Sequence, residues 1–206
     1  MSLGDTKVFA TAIRHISKND PKLARVIKEH GQIRFKPQGE MFESLVESIL
    51  SQQLAAPAAD AIISRLRGLY DGNLVPHEIY STPARKLKSA GVSPQKIRYL
   101  KDLSARVVEK KLDLDGLRAK DDGEIITALD EILGVGPWTA HMILIFTLGR
   151  LDILPVDDLG VKKGIQKLYS LRKLPKREKI EELARNWHPY CSVASLYFWR
   201  YKDSSV

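Results

Sequence analysis

The chain has 206 residues, 44% of them hydrophobic, which is enough for one large domain or two small ones around a buried core. A single cysteine excludes an internal disulfide and any cluster held by four thiolates, and no apolar run is long enough to span a membrane. The 33 Lys and Arg residues outnumber the 25 Asp and Glu residues, and the net charge of +8 favours a polyanionic partner over a membrane surface.

The first predicted elements are two helices within residues 5–29. The pair is broken at Asn19-Asp20-Pro21, where Asp20 suits the N-cap of the second helix. Pro21 suits its first turn, because that turn needs no proline N–H. Apolar residues at helical spacing predict the buried faces, which comprise Val8, Ala12, Ile16, Leu23, Val26 and Ile27.

Two further helices are predicted over residues 40–54 and 55–70, the first with a wide apolar face. Its pattern stops at two adjacent amides, Gln52 and Gln53. These side chains are either solvated groups at a helix end or groups that hydrogen-bond base edges and fill a gap in a duplex. Residues 113–122 predict a polar connection, and no segment alternates as a strand does, so we predict an all-α chain.

A tight link between two helices lies within residues 132–140. A helix that begins near Glu124 is predicted to end at Gly134, and Pro137 begins the next one. Outward-facing backbone N–H groups of such a link bind anions, a nucleic-acid phosphate above all; the alternative is an ordinary turn between helices. Residues 90–94 form a fainter version, with Gly, Val, a small residue and Pro before the next helix.

Two adjacent acids, Asp157 and Asp158, precede a lysine-rich helix predicted over residues 159–169. Because Asp is a preferred N-cap, we expect one carboxylate to cap this helix. The other is then available for chemistry, since a fixed anion stabilises the positive charge that develops on a sugar ring when a glycosidic bond breaks. A final aromatic helix around residues 196–201 is either core or the wall of a base pocket.

Taken together, these motifs resemble the helix-hairpin-helix DNA glycosylases, and within them the alkylbase branch, 3-methyladenine DNA glycosylase II. The matching motifs are Leu-Gly-Val-Gly-Pro-Trp-Thr-Ala at 133–140, Pro-Val-Asp-Asp-Leu-Gly at 155–160, Ser-Ile-Leu-Ser-Gln-Gln at 48–53, Ala-Gly-Val-Ser at 90–93 and Trp-His-Pro-Tyr at 187–190. Cys191 departs from the family's frequent Trp-x-Pro-x-Arg-Ser pattern.

The resemblance implies a two-lobed helix-hairpin-helix glycosylase fold with the active-site cleft between the lobes. One lobe would comprise residues 40–148, and the other residues 1–39 and 149–206. Asp158, directly before Leu-Gly, would be the catalytic carboxylate, and Asp157 a structural neighbour. No cofactor is expected and no metal is required, although some relatives hold a monovalent cation at the hairpin, here at Ile132 and Val135.

The resemblance also implies roles in binding. The base-pocket positions are Trp138, Met142, Leu159 and Trp199. Met142 and Leu159 stand where some relatives have tyrosines, so fewer rings are expected here. The DNA-binding positions are Gln52, Gln53, Ser93, Lys96, Gly134, Val135, Gly136, Lys162 and Lys163, with Gln53 filling the hole left by a flipped nucleotide.

The expected function is that of a monofunctional glycosylase, which excises alkylated purines from double-stranded DNA as a monomer. Trp138 stands where strand-cutting relatives have a lysine nucleophile, and indole cannot replace that amine. The alternative is a non-catalytic binder of damaged or bent DNA with the same fold. The first residues hold no apolar segment of a signal peptide, so we expect an intracellular protein, located in the cytoplasm or nucleoid of a prokaryote or in the nucleus of a eukaryote.

Overall fold

The computed structural model describes residues 2–204, and within them the only regular elements are helices. None of these helices combines the length and apolar character that a bilayer crossing requires. The α-helices are α1 (Thr6–Asn19), α2 (Pro21–His30), α3 (Met41–Ser51), α4 (Ala56–Arg67), α5 (Pro76–Ser81), α6 (Ala84–Ser89), α7 (Pro94–Val108), α8 (Leu114–Leu117), α9 (Asp122–Asp130), α10 (Pro137–Met142), α11 (Leu159–Leu168), α12 (Arg177–Ala184) and α13 (Cys191–Lys202). A π-helical turn (Ile143–Thr147) continues α10.

The chain divides into two units, and the all-helical prediction is confirmed in both. Unit 2 is the continuous segment Gly39–Ile143, with α3 to α10. Unit 1 comprises the residues up to Gln38 and from Leu144 onward, with α1, α2 and α11 to α13. The division falls before Leu144, whereas the sequence analysis placed it after residue 148. The π-helical turn has partners in unit 1, because the carbonyl of Phe146 accepts the N–H of Gln38 at 3.0 Å.

In unit 1, the break between α1 and α2 forms as predicted around a buried carboxylate. Asp20 accepts the N–H of Leu23 at 3.0 Å, and Pro21 begins α2. The same carboxylate accepts the indole N–H of Trp187 at 2.8 Å and the hydroxyl of Tyr169. Burial and the Asp20 carboxylate raise the pKa of the Tyr169 hydroxyl, which therefore stays a donor. The N-cap residue of α2 therefore also forms hydrogen bonds with two later parts of the chain, at Tyr169 and Trp187.

Several predicted details differ from the structure. The buried face of α1 uses Phe9 rather than Val8, which is only half-buried. The polar connection at 113–122 contains the short helix α8, whose N-cap Asp113 accepts the N–H of Gly116 at 2.9 Å. The helix before the hairpin ends at Asp130, a few residues before the predicted end.

Candidate active site

Asp158 lies at the N-terminus of α11, in unit 1, and only 8% of it is exposed. Its Oδ1 accepts the backbone N–H of Val161 at 2.8 Å and the indole N–H of Trp199, in α13, at 2.7 Å. Two donors on one oxygen fix the orientation of the carboxylate. The positive end of the helix dipole also lies at this oxygen. A buried, oriented carboxylate is therefore available at this position.

Two glycines of α11 allow α13 to approach closely enough for this contact. A Cβ at residue 160 would lie 2.7 Å from Cδ1 of Trp199, and a Cβ at residue 164 would lie 2.5 Å from the carbonyl oxygen of Phe198. Real Cβ atoms essentially never come that close to other heavy atoms. Gly160 and Gly164 are one helical turn apart and therefore share one face of α11.

A row of aromatic rings extends from Trp199 within unit 1. The ring centroids of Trp199 and Phe146 are 5.4 Å apart, and those of Phe146 and Phe35 are 5.7 Å apart. Phe146 is 39% exposed although it lies within an apolar run that otherwise reads as core. Sequence analysis missed both phenylalanines. No sequence signal distinguishes Phe146 from the apolar residues beside it, and the structure places it within the π-helical turn.

One of the two acids caps α11, as expected. The cap is Asp158, the same residue that the resemblance makes catalytic, so the carboxylate left free of capping is that of Asp157. Asp157 instead pairs with Arg177 at 2.9 Å and with Lys162 at 3.5 Å on the surface. Lys163 is exposed on α11.

The predicted base-pocket residues do not all belong to one unit. Leu159 and Trp199 lie in unit 1 with Asp158, and Leu159 is 53% exposed. Trp138 and Met142 lie in unit 2, in the first turn and at the last residue of α10. Trp138 is 44% exposed and Met142 is half-buried.

In unit 2, the predicted hairpin links α9 to α10. Gly134 has a φ of +80°, as predicted for a helix stop, and a Cβ there would overlap the ring of Tyr99. The N–H of Val135 donates to the carbonyl of Ile132 at 3.0 Å, and both of these side chains are buried. Gly136 precedes α10 in an extended conformation.

The two glutamines lie beside this hairpin. The Nε2 of Gln52 donates to the carbonyl of Gly134 at 2.7 Å. Gln53 is exposed, with a φ of +58° that a non-glycine residue rarely adopts. It lines a surface pocket of about 260 Å³ together with Ser93 and Lys96. Four predicted DNA-binding positions and the hairpin are therefore neighbours in unit 2.

Lys96 has a role that sequence analysis did not predict. Its Nζ donates to the carbonyls of Leu50 at 2.6 Å and Gln52 at 2.8 Å, and so stabilises the C-terminal end of α3. Burial lowers the pKa of this amine. Ser93 accepts the N–H of Lys96 at 3.4 Å as the N-cap of α7, so the fainter hairpin ends in a helix start as predicted.

Comparisons with known proteins assign this arrangement to a family. The model of the HhH-GPD superfamily of base excision DNA repair proteins matches residues 46–189. The DNA-3-methyladenine glycosylase of Saccharomyces cerevisiae is 30% identical over 96% of this chain and 81% of its own length. The crystal structure of DNA-3-methyladenine glycosidase from Bacillus halodurans is 33% identical, with a TM-score of 0.85 over 99% of this chain and 92% of that one.

A second solved structure is that of the 3-methyladenine DNA glycosylase of Schizosaccharomyces pombe in complex with abasic DNA. It is 28% identical and superimposes with a TM-score of 0.84 over 95% of this chain and 98% of that one. On the strength of the family match and of the 30% identical relative, this chain belongs to the HhH-GPD superfamily of base excision DNA repair proteins.

Proposed function

We propose that this protein is a monofunctional DNA glycosylase that excises alkylated purines from double-stranded DNA, acting as a monomer. The observation that carries the proposal is the oriented carboxylate of Asp158, held by Val161 and Trp199 beside a row of aromatic rings. The names of relatives similar over most of this chain, which are DNA-3-methyladenine glycosylases, support the same substrate class.

The chemistry follows from charge. Methylation of a purine ring nitrogen makes the base cationic, so the base leaves without needing a proton from an acid. Positive charge then develops on the sugar, and a fixed anion beneath it lowers the barrier. Asp158 supplies that anion, and water attacks the sugar carbon. The product is an abasic site in an intact strand.

Aromatic rings favour a cationic base over a neutral one. A cation over a ring face gains about 0.5–2 kcal/mol. Trp199, Phe146 and Phe35 offer such faces in unit 1, and Trp138 is an exposed ring in unit 2. The two phenylalanines add rings that sequence analysis did not count when it noted Met142 and Leu159 in place of tyrosines.

Strand cutting is not part of the proposed reaction. A lyase needs an amine that attacks the sugar carbon, and Trp138 stands at the position of that amine in strand-cutting relatives. Lys162 lies close to the catalytic acid in sequence, but its amine is 3.5 Å from the Asp157 carboxylate. The amine is therefore directed to the exposed neighbour of the catalytic carboxylate.

DNA binding would come from unit 2 and from the lysines of α11. The hairpin at Gly134, Val135 and Gly136 would hold a phosphate through the N–H groups of the two glycines, since the N–H of Val135 already donates to Ile132. Ser93 and its hairpin would form a second contact. Gln53 would enter the duplex when the nucleotide flips, because its exposed position and left-handed backbone project it from the turn after α3. Lys96 would act chiefly by holding the carbonyl of Gln52 in place.

The test is an assay on DNA treated with a methylating agent. We expect free 3-methyladenine or 7-methylguanine, and strand breaks only after hot alkali. Breaks before alkali would establish a lyase, and DNA binding with no released base would establish the non-catalytic binder; either outcome overturns the proposal.

Asp158→Asn is the decisive variant, because Asn caps helices about as well as Asp and preserves the shape of the side chain. At about 4 Å and an effective dielectric constant of about 20, a charge pair contributes about 4 kcal/mol, or about a thousandfold in rate. We expect a loss of that order with DNA binding retained. The matched control is Asp157→Asn, which removes the neighbouring exposed carboxylate and should leave base release nearly unchanged.

A further inference from the structure

Three chemically different side chains, Asp152, His188 and Cys191, converge in unit 1. Their ligand atoms all lie within 4.8 Å of one another. The Nδ1 of His188 is 2.8 Å from Oδ2 of Asp152 and 3.5 Å from Sγ of Cys191. The proposed glycosylase chemistry uses none of them.

The fold holds this cluster firmly. The N–H of Ser192 donates to the carbonyl of Leu151 at 3.1 Å, and the N–H of Ile153 donates to the hydroxyl of Ser192 at 3.0 Å. These two bonds fix the segment before and after Asp152 against the start of α13. The N–H of Cys191 also donates to Oδ1 of Asp152 at 3.1 Å. The carboxylate and the thiol are therefore positioned by backbone contacts rather than by flexible side chains alone.

The spacing matches the edges of a tetrahedral metal site. Zinc binds sulfur at about 2.3 Å and nitrogen or oxygen at about 2.0–2.2 Å, so its tetrahedral ligands stand about 3.3–3.6 Å apart. The His188–Cys191 distance of 3.5 Å lies within that range. The His188–Asp152 distance of 2.8 Å needs to open by about half an ångström. His188 and Cys191 are separated by two residues, a short spacing of the kind that zinc sites use.

The geometry does not suit a nucleophilic cysteine. In a catalytic triad the acid contacts one imidazole nitrogen and the nucleophile contacts the other. Here the same Nδ1 of His188 lies next to both Asp152 and Cys191.

We propose that Asp152, His188 and Cys191 bind one Zn²⁺ ion, with water as the fourth ligand. A mixed oxygen, nitrogen and sulfur set is typical of zinc, whereas magnesium and calcium take oxygen ligands. The buried Cys191 forms the floor of the site, and the partly exposed side chains of Asp152 and His188 leave a route for the ion. The ion joins the segment before α11 to the start of α13 and is separate from the glycosylase chemistry.

The test uses the full-length protein, reduced and stripped of metal with a chelator, then titrated with Co²⁺. We expect one equivalent to bind with the intense visible bands of tetrahedral cobalt and a thiolate-to-cobalt charge-transfer band. Zn²⁺ should displace it and raise the thermal midpoint of unfolding. Cys191→Ser should abolish the charge-transfer band.

Cys191→Ser changes a buried residue, so a second ligand variant and a control are needed to separate a loss of metal binding from unfolding. His188→Asn changes an exposed side chain, and we expect it to weaken Zn²⁺ binding by about tenfold or more. It should not impair release of methylated bases. His77→Asn, which removes an exposed histidine in unit 2, should leave Zn²⁺ binding unchanged. The proposal is overturned if no metal binds, if bound Co²⁺ shows no thiolate band, or if His188→Asn binds Zn²⁺ as the unmodified protein does.

Discussion

Gly160→Ala adds a methyl group beside the Trp199–Asp158 hydrogen bond without changing either partner. The new Cβ would lie 2.7 Å from Cδ1 of Trp199 and 3.0 Å from both Nε1 of Trp199 and Oδ1 of Asp158. Because carbon atoms rest at about 3.5–4.0 Å, the indole has to move by about 0.8 Å or more. A shift of that size away from Asp158 takes the 2.7 Å hydrogen bond to about 3.5 Å, where little of it remains.

The expected loss of rate follows from the charge of the Asp158 carboxylate, which accepts the hydrogen bond from Trp199. A hydrogen bond to a charged group contributes about 1.5–3 kcal/mol, so its loss corresponds to a rate about ten to a hundred times lower. The protein should still fold, because alanine is favoured over glycine within a helix by about 0.5–1 kcal/mol and offsets part of the strain.

The assay is single-turnover release of 3-methyladenine, with binding to an abasic-site duplex measured in parallel. We expect Gly160→Ala to slow release and to leave DNA binding within about twofold, since the hydrogen bond orients the carboxylate and not the phosphate backbone. The matched control is Gly68→Ala at the end of α4, where the nearest atom would be 3.4 Å away. An unchanged rate in Gly160→Ala would refute the idea that Trp199 orients Asp158 for catalysis.

Three further substitutions test other contacts. Gly134→Ala places a side chain at a φ of +80° and against the ring of Tyr99, so we expect weaker DNA binding and a lower thermal midpoint; retention of both would count against a rigid hairpin. Asp20→Asn keeps the cap, but its amide group is a donor that faces two other donors, the indole of Trp187 and the hydroxyl of Tyr169. We expect the free energy of unfolding to fall by about 3 kcal/mol and the thermal midpoint by about 6–12 °C. Glu43 is partly buried, which raises the pKa of its carboxyl, but hydrogen bonds from Arg67 and a backbone N–H leave that pKa below 4.5. Its stabilising effect is therefore present above pH 4.5 and lost as the pH falls through the folded-state pKa, so urea unfolding of Glu43→Gln and the unmodified protein should converge in acid and differ at neutral pH.

Local signals in the sequence predicted local structure well. Asp20 and Pro21 mark the start of α2, and Gly134 and Pro137 mark the hairpin, because capping and backbone conformation depend on a few adjacent residues. The fainter hairpin before α7 was found in the same way, although it repeats only the pattern and not the letters.

Contacts between distant residues could not be predicted from the pattern. The Trp199–Asp158 hydrogen bond joins residues 41 positions apart, and periodicity does not say which face of an aromatic helix turns toward which carboxylate. Gly160 reads as an unremarkable helix residue until α13 is placed against it. Phe146 lies in an apolar run, and nothing in that run indicates that its side chain is exposed.

Charged side chains were the least predictable group. Lys96 reads as a DNA contact, yet its amine is directed to two backbone carbonyls at the end of α3. Asp157 and Asp158 are equivalent by capping preference, and the resemblance alone distinguished them. A lysine or an aspartate carries the same charge wherever it points, so only the fold determines whether that charge meets DNA, a helix end or another side chain.

Unit 1 is formed by two segments that flank unit 2 in the sequence. It therefore cannot fold completely until its second segment has been synthesised. Helices α1 and α2 pack against α13, which leaves the ribosome about 160 residues after them. At a translation rate of about 5–20 residues per second, the parts of their apolar faces that α13 covers stay exposed for about 8–30 seconds. Unit 2 is continuous and can fold in that interval. We therefore expect chaperones to engage nascent chains through α1 and α2, and that engagement to end once α13 has emerged.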